Sequence, residues 1–188
     1  MLRIGSGLVA AATLAVLAGC AGGAQPPSPP SAASGLPPRP VELRLDGVDP
    51  CMLVTAAERA TLGVAAGTPG TDTTGPLQGK VCTWMSTSMH PDQAYSGAAA
   101  IHQGAEFALG AEPLRTVGGF AATTTISTGS DPNYFCGLLV DVAPGQSLSA
   151  VYSNSSEDYP GMNRQVACGK AQQLAAAMLA TLRAQQGR

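Results

Sequence analysis

Four cysteines placed between residues 51 and 168, Cys51, Cys82, Cys136 and Cys168, limit what this chain can fold into more than any other feature. An even number of cysteines in a domain exposed to an oxidising compartment reads as two disulfides. The competing reading is a four-cysteine metal site. No two of these residues lie within the short C-x₂₋₄-C spacing of zinc knuckles, which argues against it. The choice therefore turns on where the chain folds.

The first twenty residues bear on that directly. Arg3 gives a positive start, and residues 8–17 (LVAAATLAVL) carry no charge. At ~1.5 Å rise per residue this run falls well short of ~30 Å of hydrocarbon, so it suits the core of a signal peptide rather than a membrane span. It closes on Leu17-Ala18-Gly19-Cys20. That tetrapeptide resembles the bacterial lipobox: an aliphatic residue, two small residues that fit a narrow peptidase site, and a cysteine whose thiol takes a diacylglycerol. An ordinary secretory signal would leave a cysteine at the cleavage point to chance. The expectation is a signal peptide over residues 1–19, a lipidated Cys20, and a mature chain held on the extracytoplasmic face of the cell membrane by that lipid.

Residues 20–40 comprise the lipidated cysteine and a stalk. Residues 21–40 read AGGAQPPSPPSAASGLPPRP, seven of them proline, with Leu36 the one large apolar side chain. Such a segment cannot bury enough surface to offset its ordering entropy. It is expected to be disordered with polyproline II character, reaching roughly 60 Å if fully extended at ~3.1 Å per residue. Residues 41–188 are expected to form a single domain, long enough for one proper core. Loss of Arg3 with the signal leaves nine basic against twelve acidic residues, a net charge of −3. With no basic patch, nucleic acid is not an expected partner.

Thr55-Ala56-Ala57-Glu58 has the Thr-x-x-Glu pattern of a capping box and predicts a short helix over 56–62, stopped at Gly63. Residues 64–79, rich in Gly, Thr and Pro, read as a loop. Residues 80–87 alternate, with Cys82 and Trp84 on one face and Val81, Thr83 and Met85 on the other. Further strands are expected near 96–102, 114–117 and 121–128. Residues 136–142 and 147–153 make the clearest hairpin, turning through Ala143-Pro144-Gly145-Gln146. The chain ends in a helix over about 163–185, on which Cys168, Ala171, Ala175, Met178 and Leu182 form one apolar stripe. The fold class that follows is α+β: an antiparallel sheet of about five to six strands, with a short N-terminal helix and a long C-terminal helix packed on one face. Cys136 shares its face of the hairpin with Leu138, Val140 and Val142, and Cys168 lies on the helix stripe, so the two are expected to face each other. Of three possible connectivities the expected one is Cys51–Cys82 with Cys136–Cys168, each closing a loop of about thirty residues.

Several short motifs occur in a fixed order: Asp49-Pro50-Cys51 with Leu53 and the Thr-x-x-Glu helix, then Cys82-Thr83-Trp84, then Val117-Gly118-Gly119. Cys136 follows, before a hairpin with Gly145-Gln146-Ser147-Leu148, and Cys168-x-x-Ala171 opens the last helix. Together with the lipobox they resemble the domain-of-unknown-function family 3558 of actinobacterial lipoproteins, over nearly all of residues 45–183. Gly169 stands where that family often has an acidic residue after the last cysteine. The resemblance implies an exported, lipid-anchored α+β domain. It implies no activity, since the family has none assigned.

The sequence has no Gly-x-Ser-x-Gly elbow, phosphate loop or His-Glu-x-x-His motif. Two histidines, His90 and His102, remain in the mature chain, and a serine hydrolase drawing on Asp131 or Asp141 has no local pattern behind it. Glu157-Asp158 and Asp46 with Asp49 read as solvated turn residues. Met85, Met89 and His90 have ligand chemistry suited to Cu(I), but Met85 reads as a core residue and His90, before Pro91, as a loop residue. No catalytic residue, metal site or cofactor is therefore expected, and the chain reads as a non-enzyme. The expected function is a binding or interaction module at the cell envelope that holds an unknown protein or ligand. A structural subunit of an envelope complex is the second reading. An unrecognised extracellular enzyme, with His90 or His102 beside a carboxylate in a deep pocket, is the third. An apolar surface patch built from Tyr95, Tyr134, Phe135, Tyr152 or Tyr159 would mark either of the first two.

Overall fold

Alternation along residues 79–85, 93–100 and 135–154 gives a sheet one apolar face, and the apolar stripe of the last helix lies across it. The computed structural model describes residues 35–73, 77–87, 93–100, 102–125, 131–155 and 160–187. Cys20, Met89, His90, Tyr159 and the Glu157-Asp158 pair lie outside the described residues. In chain order the elements are a 3₁₀ turn Pro50–Leu53, α1 (Ala56–Leu62), β1 (Thr68–Asp72), β2 (Gly79–Met85), β3 (Gln93–Ala100), a second 3₁₀ turn Ala105–Ala108, β4 (Arg115–Val117), β5 (Phe120–Thr125), β6 (Phe135–Ala143), β7 (Gln146–Asn154) and α2 (Arg164–Gln185). The spatial order of the strands is β1-β2-β3-β7-β6-β5-β4, and every pairing is antiparallel. Two meanders thus meet where β7 runs beside β3, from Gln93↔Asn154 to Ala100↔Ser147.

The architecture is α+β with one antiparallel sheet and a long C-terminal helix, but the sheet has seven strands rather than five to six. The unexpected strand is β1, in the segment read as a loop. Thr68-Pro69-Gly70-Thr71-Asp72 has no apolar alternation to announce it. Its proline is tolerated because β1 is an edge strand, with no second neighbour to which an amide must donate. The short helix α1 forms through its capping box: Thr55 N donates to Glu58 Oε2 at 2.6 Å and Glu58 N donates to Thr55 Oγ1 at 3.3 Å. It closes on Gly63 in the left-handed region, at φ 68°. None of its residues is buried. It is tied to the side of α2, where Thr181 Oγ1 donates to the Glu58 carboxylate, instead of lying on the sheet.

The core fills the space between the sheet and α2. Trp84, Leu138, Val140, Leu148 and Tyr152 face Leu174, Met178 and Leu182, all fully buried. Gly97 makes the close approach possible, because a Cβ there would lie 2.6 Å from Met178 Cε. Two disulfides staple this layer. Cys51–Cys82 joins the first 3₁₀ turn to β2, and Cys136–Cys168 joins β6 to α2, with Cα–Cα distances of 5.0 and 4.9 Å.

Described residues ahead of the change in composition at residue 41 already pack against the unit that contains the sheet. Leu43 and Leu45 are buried in the core. Leu43 N donates to Val142 O at 2.8 Å and Leu45 N to Gln146 Oε1 at 2.8 Å, so this stretch lies along the β6–β7 turn. Upstream, Arg39 reaches Asp141 of β6, and Leu36 packs on a small cluster of Ala105, Ala108 and Leu139. Among the described residues no helix is long and apolar enough to cross a membrane.

Candidate functional site

Every second side chain of a strand points away from α2. The pairing register sets Thr83, Ser96, Val151, Gly137 and Thr125 in one row across five strands, and Val81, Ala98, Ser149, Leu139 and Thr123 in the next. This second face is covered at one end. There the turn Ala105–Ala108 rests on Leu139 together with Leu36 and Leu77. Thr123 Oγ1 donates to Ala105 O and Ser147 Oγ to Gln103 O, both at 2.7 Å, and these bonds fix the cover in place.

Beyond the cover, over β2, β3 and β7, lies an open cavity of about 260 Å³ lined by Thr83, Ser96, Ala98, Ser149 and Val151, with Asp72 and Leu77 at its side. Short side chains make the hollow, and they present hydroxyls and methyls. Each hydroxyl can donate and accept. The wall also includes the apolar side chains of Leu77, Val81 and Val151 and the carboxylate of Asp72 at one side.

The residues singled out on chemical grounds have other employment. Asp141 is buried in β6, where its carboxylate accepts from Arg39 Nη2 at 2.7 Å. Burial holds the Asp141 carboxyl above its ordinary value; Arg39 opposes that effect without overcoming it, and Glu106 adds to it. Asp131 is exposed in a turn and accepts from Asn133 N at 2.8 Å. Asp49 accepts from Cys51 N at 2.9 Å, capping the first 3₁₀ turn, and Asp46 accepts from Gln146 Nε2 at 3.1 Å. His102 is exposed. Among the described residues no group of three His, Cys, Asp or Glu is placed to hold a metal ion.

Two expectations about side chains need correction. Met85, read as core, is 46% exposed, because it points to the uncovered sheet face. Among the described residues the expected aromatics do not build a surface patch: Tyr95 and Tyr152 are buried, edge to face at 5.1 Å, and Tyr134 and Phe135 are half-buried. Among the described residues the exposed large apolar side chains are Met52, Met85, Phe107, Leu109, Leu114 and Val166. Three of them fall in residues 107–114, a stretch broken by Gly110 and Pro113 whose lack of any period kept it from notice.

One antiparallel sheet, one long helix across a single face, and two disulfides joining the layers define a stapled α+β domain whose second sheet face is partly open. The family described as Protein of unknown function (DUF3558) matches residues 15–181, and the chain belongs to it. No curated protein and no solved structure matches the chain. The disulfides are consistent with a domain that works outside the cytoplasm.

Proposed function

We propose that this chain is a lipid-anchored extracytoplasmic module that works by contact and not by catalysis, held to the cell membrane through Cys20. Its contact surface is the uncovered sheet face over β2, β3 and β7, and its partner is an envelope protein or polymer that presents neutral polar groups. The contrast between the two sheet faces carries this reading. An antiparallel sheet can leave one face to water. Here, however, the open part is hollow and lined by short polar and apolar side chains, Thr83, Ser96, Ala98, Ser149, Val81 and Val151, with Asp72 the charged one at its side, a shape that admits the backbone of a partner. The lipobox at Leu17–Cys20 and the two disulfides support the location.

The anchor is tested by Cys20→Ser. The variant is expected to leave the membrane fraction while keeping the thermal midpoint of the wild type, since bacterial lipoproteins hold by two or three acyl chains on that residue. Retention equal to the wild type would overturn the lipid reading. The contact surface is tested by Ser96→Trp, which fills the hollow from a half-buried outward position. Cross-linking in intact cells, read by mass spectrometry, is expected to lose the species that the wild type captures, with membrane retention unchanged. The same adducts from both proteins sink the assignment of this face. His90→Gln with His102→Gln serves as the contrasting variant, expected to keep both the adducts and whatever function a deletion strain lacks. Loss of that function in a folded, membrane-bound double variant means that the histidines do chemistry.

A further inference from the structure

We propose that Phe107, Leu109 and Leu114 dock the domain onto the lipid bilayer beside its own anchor, an inference that rests on lipidation of Cys20. Phe107 is 55% exposed, Leu114 43% and Leu109 38%. A bridge between Leu109 and Glu112 folds the chain back on itself between Phe107 and Leu114. Clustered exposed apolar side chains mark an interaction surface.

The path of the chain says what covers it. A Cβ on Gly35 would lie 3.4 Å from Leu109 Cδ1, and Leu36 packs on the Ala105, Ala108 and Leu139 cluster of the turn that carries Phe107. The segment leading from the anchor therefore joins the domain at this patch. Fourteen residues, 21–34, separate Gly35 from Cys20. Even fully extended they reach only about 45 Å at ~3.1 Å per residue. A tether of that length holds the patch at high effective concentration against the bilayer. Apolar side chains too few to bind free in solution are then enough.

Charge argues for the apolar boundary of the membrane over its headgroups. Glu112 is paired with Arg164, and Glu106 is exposed on the same turn. No lysine lies between residues 81 and 169, and Arg115, the cation that follows Leu114, is half-buried. The contact is thus insensitive to salt and does not need anionic lipid.

Met52 supplies an internal control, being 66% exposed and apolar but distant. Arg164 at the start of α2 pairs with Glu112, whereas Gln185 at its end donates to Met52 O at 3.4 Å. The helix between them spans about 33 Å at ~1.5 Å per residue.

The experiment uses the full-length lipoprotein in phosphatidylcholine vesicles with brominated acyl chains. Phe107→Trp and Met52→Trp are compared, with the buried Trp84 a common background. The expected result is at least about twofold stronger quenching for Phe107→Trp than for Met52→Trp, unchanged in high salt. Equal quenching in protein that floats with the vesicles overturns the docking surface and leaves the anchor standing. Protein that does not float, and that carries no lipid on Cys20, overturns the anchor and the docking with it.

Discussion

Replacing Cys136 and Cys168 together by alanine is expected to lower the unfolding free energy by about 3–4 kcal/mol. The bond closes a loop with a sequence separation of 32, and most of its effect lies in the freedom it denies the unfolded chain. It joins a strand in the interior of the sheet to the second turn of the helix that covers it, and both cysteines are fully buried. Alanine is the right replacement because serine would add a buried hydroxyl in need of a partner. A loss of this size is a large part of the ~5–15 kcal/mol that holds an ordinary domain together. Urea unfolding measures it, as a shift of the midpoint with little change in slope beyond that expected for a less constrained unfolded chain. A loss under about 1 kcal/mol would mean that the bridge does not restrain the unfolded chain as the loop-closure argument requires.

What the sequence shows and hides about this fold follows from the range of each signal. The hairpin β6–β7, the strand β2 and the helix α2 repeat their apolar residues at the period of their own structure, so each is legible within a dozen residues. The capping box at Thr55 and Glu58 is legible in four. The facing of Cys136 and Cys168 combines two such local patterns, a strand face and a helix stripe, and the structure has that pair bonded. β1 left no such trace: an exposed edge strand with Pro69 and Gly70 owes its existence to the neighbouring ladder of β2 and to nothing within itself. The outward rows fail for a further reason. Thr83, Ser96, Val151 and Gly137 are one surface only after four strands are set in register, and β7 reaches β3 from fifty residues along the chain. The contacts of Leu36 with Ala105, Ala108 and Leu139, and of Arg39 with Asp141, were hidden in the same way, since those partners lie far along the chain.

That last contact has the second large effect. Arg39→Ala is expected to cost about 3 kcal/mol at neutral pH and distinctly less in mild acid. Removing one partner of a buried ion pair leaves the other charge without compensation, at a cost of about 3–5 kcal/mol. The Asp141 side chain is 1% exposed and that of Arg39 23%, so the guanidinium could find water but the carboxylate could not. Partial exposure of Arg39 places the loss at the lower end. Protonation offers the carboxyl a way out. Burial already keeps it above its ordinary value of 3.8 with Arg39 in place, and loss of Arg39 raises it further. An acid whose folded pKa lies above its unfolded one binds its proton more tightly when folded. Stability therefore falls as pH rises through the folded value and returns as pH falls towards the ordinary value. The deficit of Arg39→Ala is thus largest well above the ordinary carboxylate range and shrinks as pH falls towards 3.8. Asp141→Asn added to Arg39→Ala removes the charge altogether, and the double variant should recover most of the loss and lose the pH dependence across that window. Urea midpoints of the wild type, the single variants and the double variant at a series of pH values form the cycle that isolates the pair. A deficit that stays constant on acidification would show that the uncompensated Asp141 carboxylate is not its source. A deficit that shrinks, and vanishes with Asp141→Asn, makes the pair a latch: one charge on the segment ahead of the first 3₁₀ turn, the other in the interior of the sheet, 102 residues apart.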